Sequence, residues 1–286
     1  MIQGVFTALI TPFNKDGSVD IGAYRDLVKR QIDGGVDGLV PVGTTGESPT
    51  LESSEKEMLI EEAVKIAAGK IPVIAGTGSN NTKAAVEATK KASALGADIT
   101  LQVAPYYNKP APEGLYRHFA EVAEKGDLPV MIYNVPGRSG INISPWLLNK
   151  LALHPKIIAV KEANGDPRQF QEFLSRRPDN FSVLSGDDVM TLPMMVCGAQ
   201  GVVSVASNMF PKEMVELVRH MAEGRLKEAL ALHNRLYPFF INQFIETNPV
   251  PIKTYMAQRG LCQEVFRLPL SELSSENRKI LLSTSV

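Results

Sequence analysis

An excess of charge of one sign is missing from this sequence: 30 Lys and Arg stand against 31 Asp and Glu, and no segment gathers either sign. An extended polyanion or a charged bilayer surface finds nothing to hold, so nucleic acid and membrane are not expected as partners. Cysteine is scarce too. Cys197 and Cys262 are too few and too far apart for a disulfide framework or a zinc site, and reduced thiols are the expectation. No basic residue precedes Lys15 and only a short apolar run opens the chain, which does not read as a secretory signal; a cytoplasmic location is expected. One uncharged stretch, Val189 to Pro211, has the length of a membrane span. Pro193, Gly198, Gln200, Gly201 and Asn208 break it into a helix, a turn and a buried strand. No Gly-x-Gly-x-x-Gly follows the first strand, which counts against a dinucleotide fold.

What is present is a repeat of apolar runs and amphipathic segments. The chain has 286 residues, 44% of them hydrophobic and 21% charged, which suits one large globular domain. Strands are expected at Val5–Ile10, Gly38–Val42, Val73–Ala75, Ile99–Val103, Val130–Tyr133, at the run carrying Lys161, at Ser182–Leu184 and at Val202–Ser204. Helices fall between them. The first, from about Ile21 to Asp33, carries Tyr24, Leu27, Val28 and Ile32 on one face. The second is marked at its start by Ser54 and Glu57, read as a capping box, and buries Leu59, Ala63, Ile66 and Ala67. Eight strand–helix units of similar size favour closure into a (β/α)8 TIM barrel of the α/β class over an open doubly wound sheet. From Arg225 the pattern is helix only, so residues 1–224 are read as the barrel and 225–286 as a helical extension. Tyr237, Phe239, Phe240 and Phe244 within it read as core or subunit contact rather than a ligand box.

In such a barrel the chemistry sits at the C-terminal ends of the strands. Ile157–Val160 is a buried-strand run that ends on Lys161 and Glu162. A lysine buried there gives up its proton easily and becomes a nucleophile for a ketone, although taken alone a solvent-facing lysine, or one ion-paired with Glu162, is the simpler reading. After the second strand stand Gly43, Thr44, Thr45, Gly46 and Glu47, which suit a small carboxylate, although in isolation a turn into a helix cap is the simpler reading. The fifth strand ends on Tyr133 and runs into a loop with Arg138: a proton relay and a carboxylate fork, or two structural residues. Tyr106 and Tyr107 lie on a loop stiffened by Pro105 and Pro110, and Ser185–Asp188 reads most simply as a helix cap. His118, His154, His220 and His233 fall in helical stretches or just after them, not at strand ends, where a metal-dependent aldolase would need them. Lysine, tyrosine, threonine and arginine together suit imine chemistry on a keto acid.

The motifs GTTGES at Gly43, YYNKP at Tyr106, YNVPGRSG at Tyr133, VKEAN at Val160 and SGDD at Ser185 resemble those of the dihydrodipicolinate synthase family, in order and along nearly the whole chain. The resemblance implies a pyruvate-dependent class I aldolase without metal or other cofactor, joining pyruvate to L-aspartate 4-semialdehyde on the route to diaminopimelate and lysine. It implies Lys161 as the Schiff base residue, Tyr133 as proton relay, and Thr44 as the link from Tyr133 to a Tyr107 that reaches in from a neighbouring subunit of a homotetramer, a dimer of dimers. Thr45 would hold the pyruvate carboxylate and Arg138 that of the semialdehyde, with the backbone of Gly186 and Val203 lining the pocket. At the regulatory site of lysine-inhibited members, Ser48, Asn80 and Tyr106 match, but a glutamate is replaced by Ala84 and two histidines by Ser53 and Lys56. Weak or absent inhibition by lysine is expected. Rival readings are a related N-acetylneuraminate lyase or 2-keto-3-deoxy sugar acid aldolase, and a non-catalytic barrel that binds a keto acid.

Overall fold

Alternating strands and helices close into a barrel because each strand carries apolar residues on both faces, one set for the interior and one for the helices. The computed structural model describes residues 1–285. In order it has β1 (Gly4–Ala8), α1 (Ile21–Asp33), β2 (Gly38–Val40), α2 (Ser53–Ala67), β3 (Ile74–Gly76), α3 (Thr82–Ala94), β4 (Ile99–Val103), α4 (Pro112–Lys125) and β5 (Val130–Asn134). There follow α5 (Pro136–Ser139), α6 (Pro145–Ala152), β6 (Ile157–Glu162), α7 (Pro167–Leu174), β7 (Ser182–Ser185), α8 (Thr191–Val196), β8 (Gly201–Ser204) and α9 (Pro211–Ala222). The C-terminal helices are α10 (Leu226–Asn242), α11 (Val250–Ala257) and α12 (Ser275–Leu282).

All eight strands are parallel neighbours in the order β2-β1-β8-β7-β6-β5-β4-β3. A parallel bridge from Leu39 to Val73 closes β2 onto β3. Gly76 lets them approach: a Cβ there would stand 2.3 Å from the carbonyl oxygen of Val42. The interior is filled by Phe6, Val40, Ile74, Leu101, Met131, Ala159, Leu184 and Val203 among others. Two further apolar clusters lie between strands and helices. The fold is the (β/α)8 barrel with added C-terminal helices.

Two helix readings shift. The capping box of α2 is made by Glu52 and Glu55, two residues ahead of the pair Ser54 and Glu57. Three close-set carboxylates compete for that role, and the phase of the buried stripe at Leu59, Ile60, Ala63 and Ala67 selects among them. On α1 the buried set is Tyr24, Leu27, Val28 and Gln31, with Ile32 only partly covered. Gln31 is inside because its amide bonds Thr7 and the carbonyl of Asn208. Val189–Pro211 becomes α8, a turn and β8, and among the described residues no helix is long and apolar enough to cross a membrane.

Candidate active site

Lys161 is the second-last residue of β6, and strand alternation turns it with Ala159 into the barrel while Val160 and Glu162 face the helices. Only 5% of Lys161 is exposed. Burial pushes its amine down from 10.5 to about 8; the nearby Asp188 carboxylate works against this and Arg138 adds to it. A useful fraction of the amine is then neutral near pH 7. Tyr133 is the register partner of Lys161 on β5, and the lysine Nζ lies 4.3 Å from the centre of its ring. Burial pushes the Tyr133 phenol up to about 12, against a hydrogen bond with Thr44 that lowers it, so it stays protonated and able to donate. Gly186 leaves the lysine stem its room: a Cβ there would come within 2.8 Å of Ala163 Cβ and 3.1 Å of Lys161 Cγ.

These groups open on a cavity of about 450 Å³ at the C-terminal ends of the strands, lined by Thr44, Thr45, Tyr133, Arg138, Lys161 and Gly186. The segment before α11 forms another wall, with Phe244, Thr247 and Asn248. Asn248 joins two of the anion-holding candidates. Its Nδ2 donates to Thr45 Oγ1 at 2.9 Å, and its carbonyl accepts from Arg138 Nη2 at 3.1 Å. A buried amine, a protonated phenol, two threonines and an arginine around one cavity can bind a keto acid and convert it to an imine.

The model of the dihydrodipicolinate synthetase family matches residues 1–284. The chain belongs to this family. It is 50% identical over 274 residues to the 4-hydroxy-tetrahydrodipicolinate synthase of Leptospira biflexa, covering 96% of this chain and 93% of that one. It superposes on the crystal structure of dihydrodipicolinate synthase from Aquifex aeolicus with a TM-score of 0.95 at 49% identity, covering 98% and 96% of the two chains. A crystal structure of the same enzyme from Cyanidioschyzon merolae with lysine bound is 42% identical, with a TM-score of 0.95 and 98% and 95% covered.

In this family member not every expected residue reaches the cavity. The side chain of Val203 lies within the barrel core, and Val205, just after β8, lines the cavity. Tyr107 stands 89% exposed with a left-handed φ of 71° and is not among the residues lining this cavity. Ser48, Ser53, Lys56, Ala84 and Tyr106 line a second cavity of about 310 Å³ that shares Thr44 and Tyr133 with the first. Asn80 is not among its lining; it donates from Nδ2 to the carbonyl of Tyr106 at 3.2 Å.

Other residues take parts the sequence reading did not give them. Glu162 does not pair with Lys161, because neighbours on a strand face opposite ways; it accepts from Asn134 Nδ2 instead. Asp188 is no simple cap: its carboxylate accepts from Ser204 Oγ, the amides of Val205 and Ala206, and Gln243 Nε2. Phe239 and Phe240 are core, whereas Phe244 is 43% exposed and lines the cavity on which Lys161 opens. A second buried lysine, Lys253, here fully enclosed, reaches back from α11 to Glu47 at 2.5 Å, just beyond the Thr44–Thr45 turn. No sequence signal joins residues so far apart.

Proposed function

We propose that this chain forms 4-hydroxy-tetrahydrodipicolinate from pyruvate and L-aspartate 4-semialdehyde, in diaminopimelate and lysine biosynthesis, with Lys161 as the Schiff base residue. The observation that carries the reading is the inward-facing Lys161 amine, its pKa drawn down to about 8, set over the Tyr133 ring at the wall of the cavity. The neutral amine attacks the pyruvate ketone. The carbinolamine loses water, with Tyr133 donating the proton to the departing oxygen and Thr44 holding the phenol in line. Loss of a methyl proton gives the enamine, whose carbon attacks the aldehyde, and the new alkoxide is protonated. The substrate's own amino group then attacks the imine carbon, closes the ring and releases Lys161, so one water is lost overall.

Thr45 with neighbouring amides holds the pyruvate carboxylate, and Arg138 forks onto that of the semialdehyde. Gly186 and Val205 line the pocket. Tyr107, exposed on its own chain, serves the site of a neighbouring copy in a tetramer built as a dimer of dimers, which acts in the cytoplasm. Lys56 and Ala84 in the second cavity make it a poor site for the lysine cation.

The test is turnover of pyruvate with L-aspartate 4-semialdehyde, followed through a coupled reductase, in the parent and in Lys161→Ala. Turnover in the parent that vanishes in the variant, with borohydride-trapped pyruvate on the parent alone, is expected. A folded parent without turnover would overturn the substrate reading, and an adduct surviving in Lys161→Ala would overturn the assignment of the nucleophile.

A further inference from the structure

Glu162 sits where an acidic residue is costly. It is 2% exposed, and burial pushes its carboxyl up to about 7. Its hydrogen-bond donors are all amides. Asn134 Nδ2 lies 3.0 Å from each of its oxygens, and the Asn164 backbone N–H donates to Oε1 at 2.7 Å. Asn134 and Glu162 are register partners one step beyond Tyr133 and Lys161. The same Asn134 side chain turns the other way with its Oδ1, accepting from the amide of Ile143 at 3.1 Å, and it also donates to Asn142 Oδ1 at 2.9 Å. Asn164 Nδ2 and Gln169 Nε2 donate to that same Asn142 oxygen at 2.9 and 3.1 Å.

We propose that Glu162 is a positioning residue: its carboxylate fixes the Asn134 amide, and through it sets Tyr133, Lys161 and the turn bearing Arg138 in one frame. This role rests on the reaction proposed above. The argument is one of donors and acceptors. Once ionised, above about pH 7, the carboxylate offers only acceptors, so it forces the Asn134 amide to point NH2 towards β6 and oxygen towards Ile143. Residues 135–143, which hold α5 and Arg138, are thereby tied at their far end to the strand carrying the lysine. A neutral glutamine presents a donor to a donor on one side and lets the Asn134 amide turn over. For burial alone an apolar residue would serve better than this carboxylate.

The test compares Glu162→Gln, Asn134→Asp and the double swap. In the double swap the new carboxylate on β5 would accept from the new amide on β6 and still accept from the Ile143 N–H. Both single variants are expected to keep the borohydride-trapped pyruvate adduct on Lys161. Their kcat should fall about tenfold to a hundredfold, with a raised KM for the semialdehyde. The double swap should recover most of that loss. Kinetic constants of the folded single variants equal to the parent's, or a double swap no better than the product of the singles, would overturn the role. Asn142 is exposed, so Asn142→Ala decides the matter if Glu162→Gln does not fold: its KM for the semialdehyde should rise while that for pyruvate holds, and an unchanged split would reject the proposal. A parent that traps no pyruvate rejects the Schiff base reading, and this role with it.

Discussion

Replacing Lys161 with methionine should end catalysis and stabilise the fold, and the size of the gain follows from the site. The amine titrates near 8 in the folded chain against an ordinary 10.5. At pH 7 the unfolded state is almost wholly protonated and the folded state about nine-tenths so, but folding forces the cation into a site that disfavours it. At about 1.36 kcal/mol per unit the penalty is about 3 kcal/mol. Methionine matches the stem in length without charge. The lost contact with the Tyr133 ring takes back about 1 kcal/mol, leaving a net gain of about 2 kcal/mol. At about 2 °C per kcal/mol the thermal midpoint rises by about 4 °C. The sign of the pH dependence is fixed as well. Between 8 and 10.5 the unfolded state binds more protons than the folded one, so the parent gains stability as pH rises through that window. The advantage of Lys161→Met is therefore full below pH 8 and lost above 10.5. Thermal unfolding of both proteins across pH 7 to 10.5 is the assay. A variant no more stable than the parent at pH 7, or a difference that does not shrink with pH, would refute the buried-cation argument.

Tyr133→Phe keeps the ring under Lys161 but removes the donor, and kcat should fall by about 10² to 10⁴, with trapping of pyruvate slowed rather than abolished; an unchanged kcat would remove Tyr133 from the proton relay. Lysine at millimolar concentration should leave the rate nearly unchanged, because Ala84 supplies no carboxylate to the second cavity and Lys56 repels a cation; strong inhibition below millimolar would show that other groups hold the ammonium. Lys253→Met strands the Glu47 carboxylate, fully buried beside the Thr44–Thr45 turn, and should cost about 3–5 kcal/mol. Adding Glu47→Gln should restore more than half of that in a denaturation series, and a double variant as unstable as the single would show that the pair is not the source of the loss.

Much of the barrel was legible because its signals are local. Buried strands flanked by amphipathic helices give their order and direction from periodicity alone, and the strand Ile157–Glu162 with its terminal Lys161 needs no partner to be recognised. The candidate site was legible to the same depth: Thr44, Tyr133, Arg138 and Gly186 all lie at or shortly after a strand end, and they line one cavity with Lys161. The misreadings share a cause. Adjacency in sequence suggests Glu162 as a partner of Lys161, whereas the pleat sends the two to opposite faces. Asn248 bonds side chains 203 and 110 residues away, and Phe244, in the turn after α10, comes to the cavity wall beside residues from the ends of β2, β5, β6, β7 and β8; no periodicity marks such meetings.

By itself, then, the sequence determined the alternation that builds the barrel, the family its motifs belong to, and the place of a lysine at the end of the sixth strand, since each is written in neighbouring residues. Only the tertiary structure decided the electrostatics. The pKa of Lys161, the company of Glu162, the Lys253–Glu47 pair and the bridge from Thr45 through Asn248 to Arg138 depend on burial and on contacts between distant segments. Solvent exclusion and charge are set by everything that closes around a group, and a linear pattern carries no record of which remote side chains those will be.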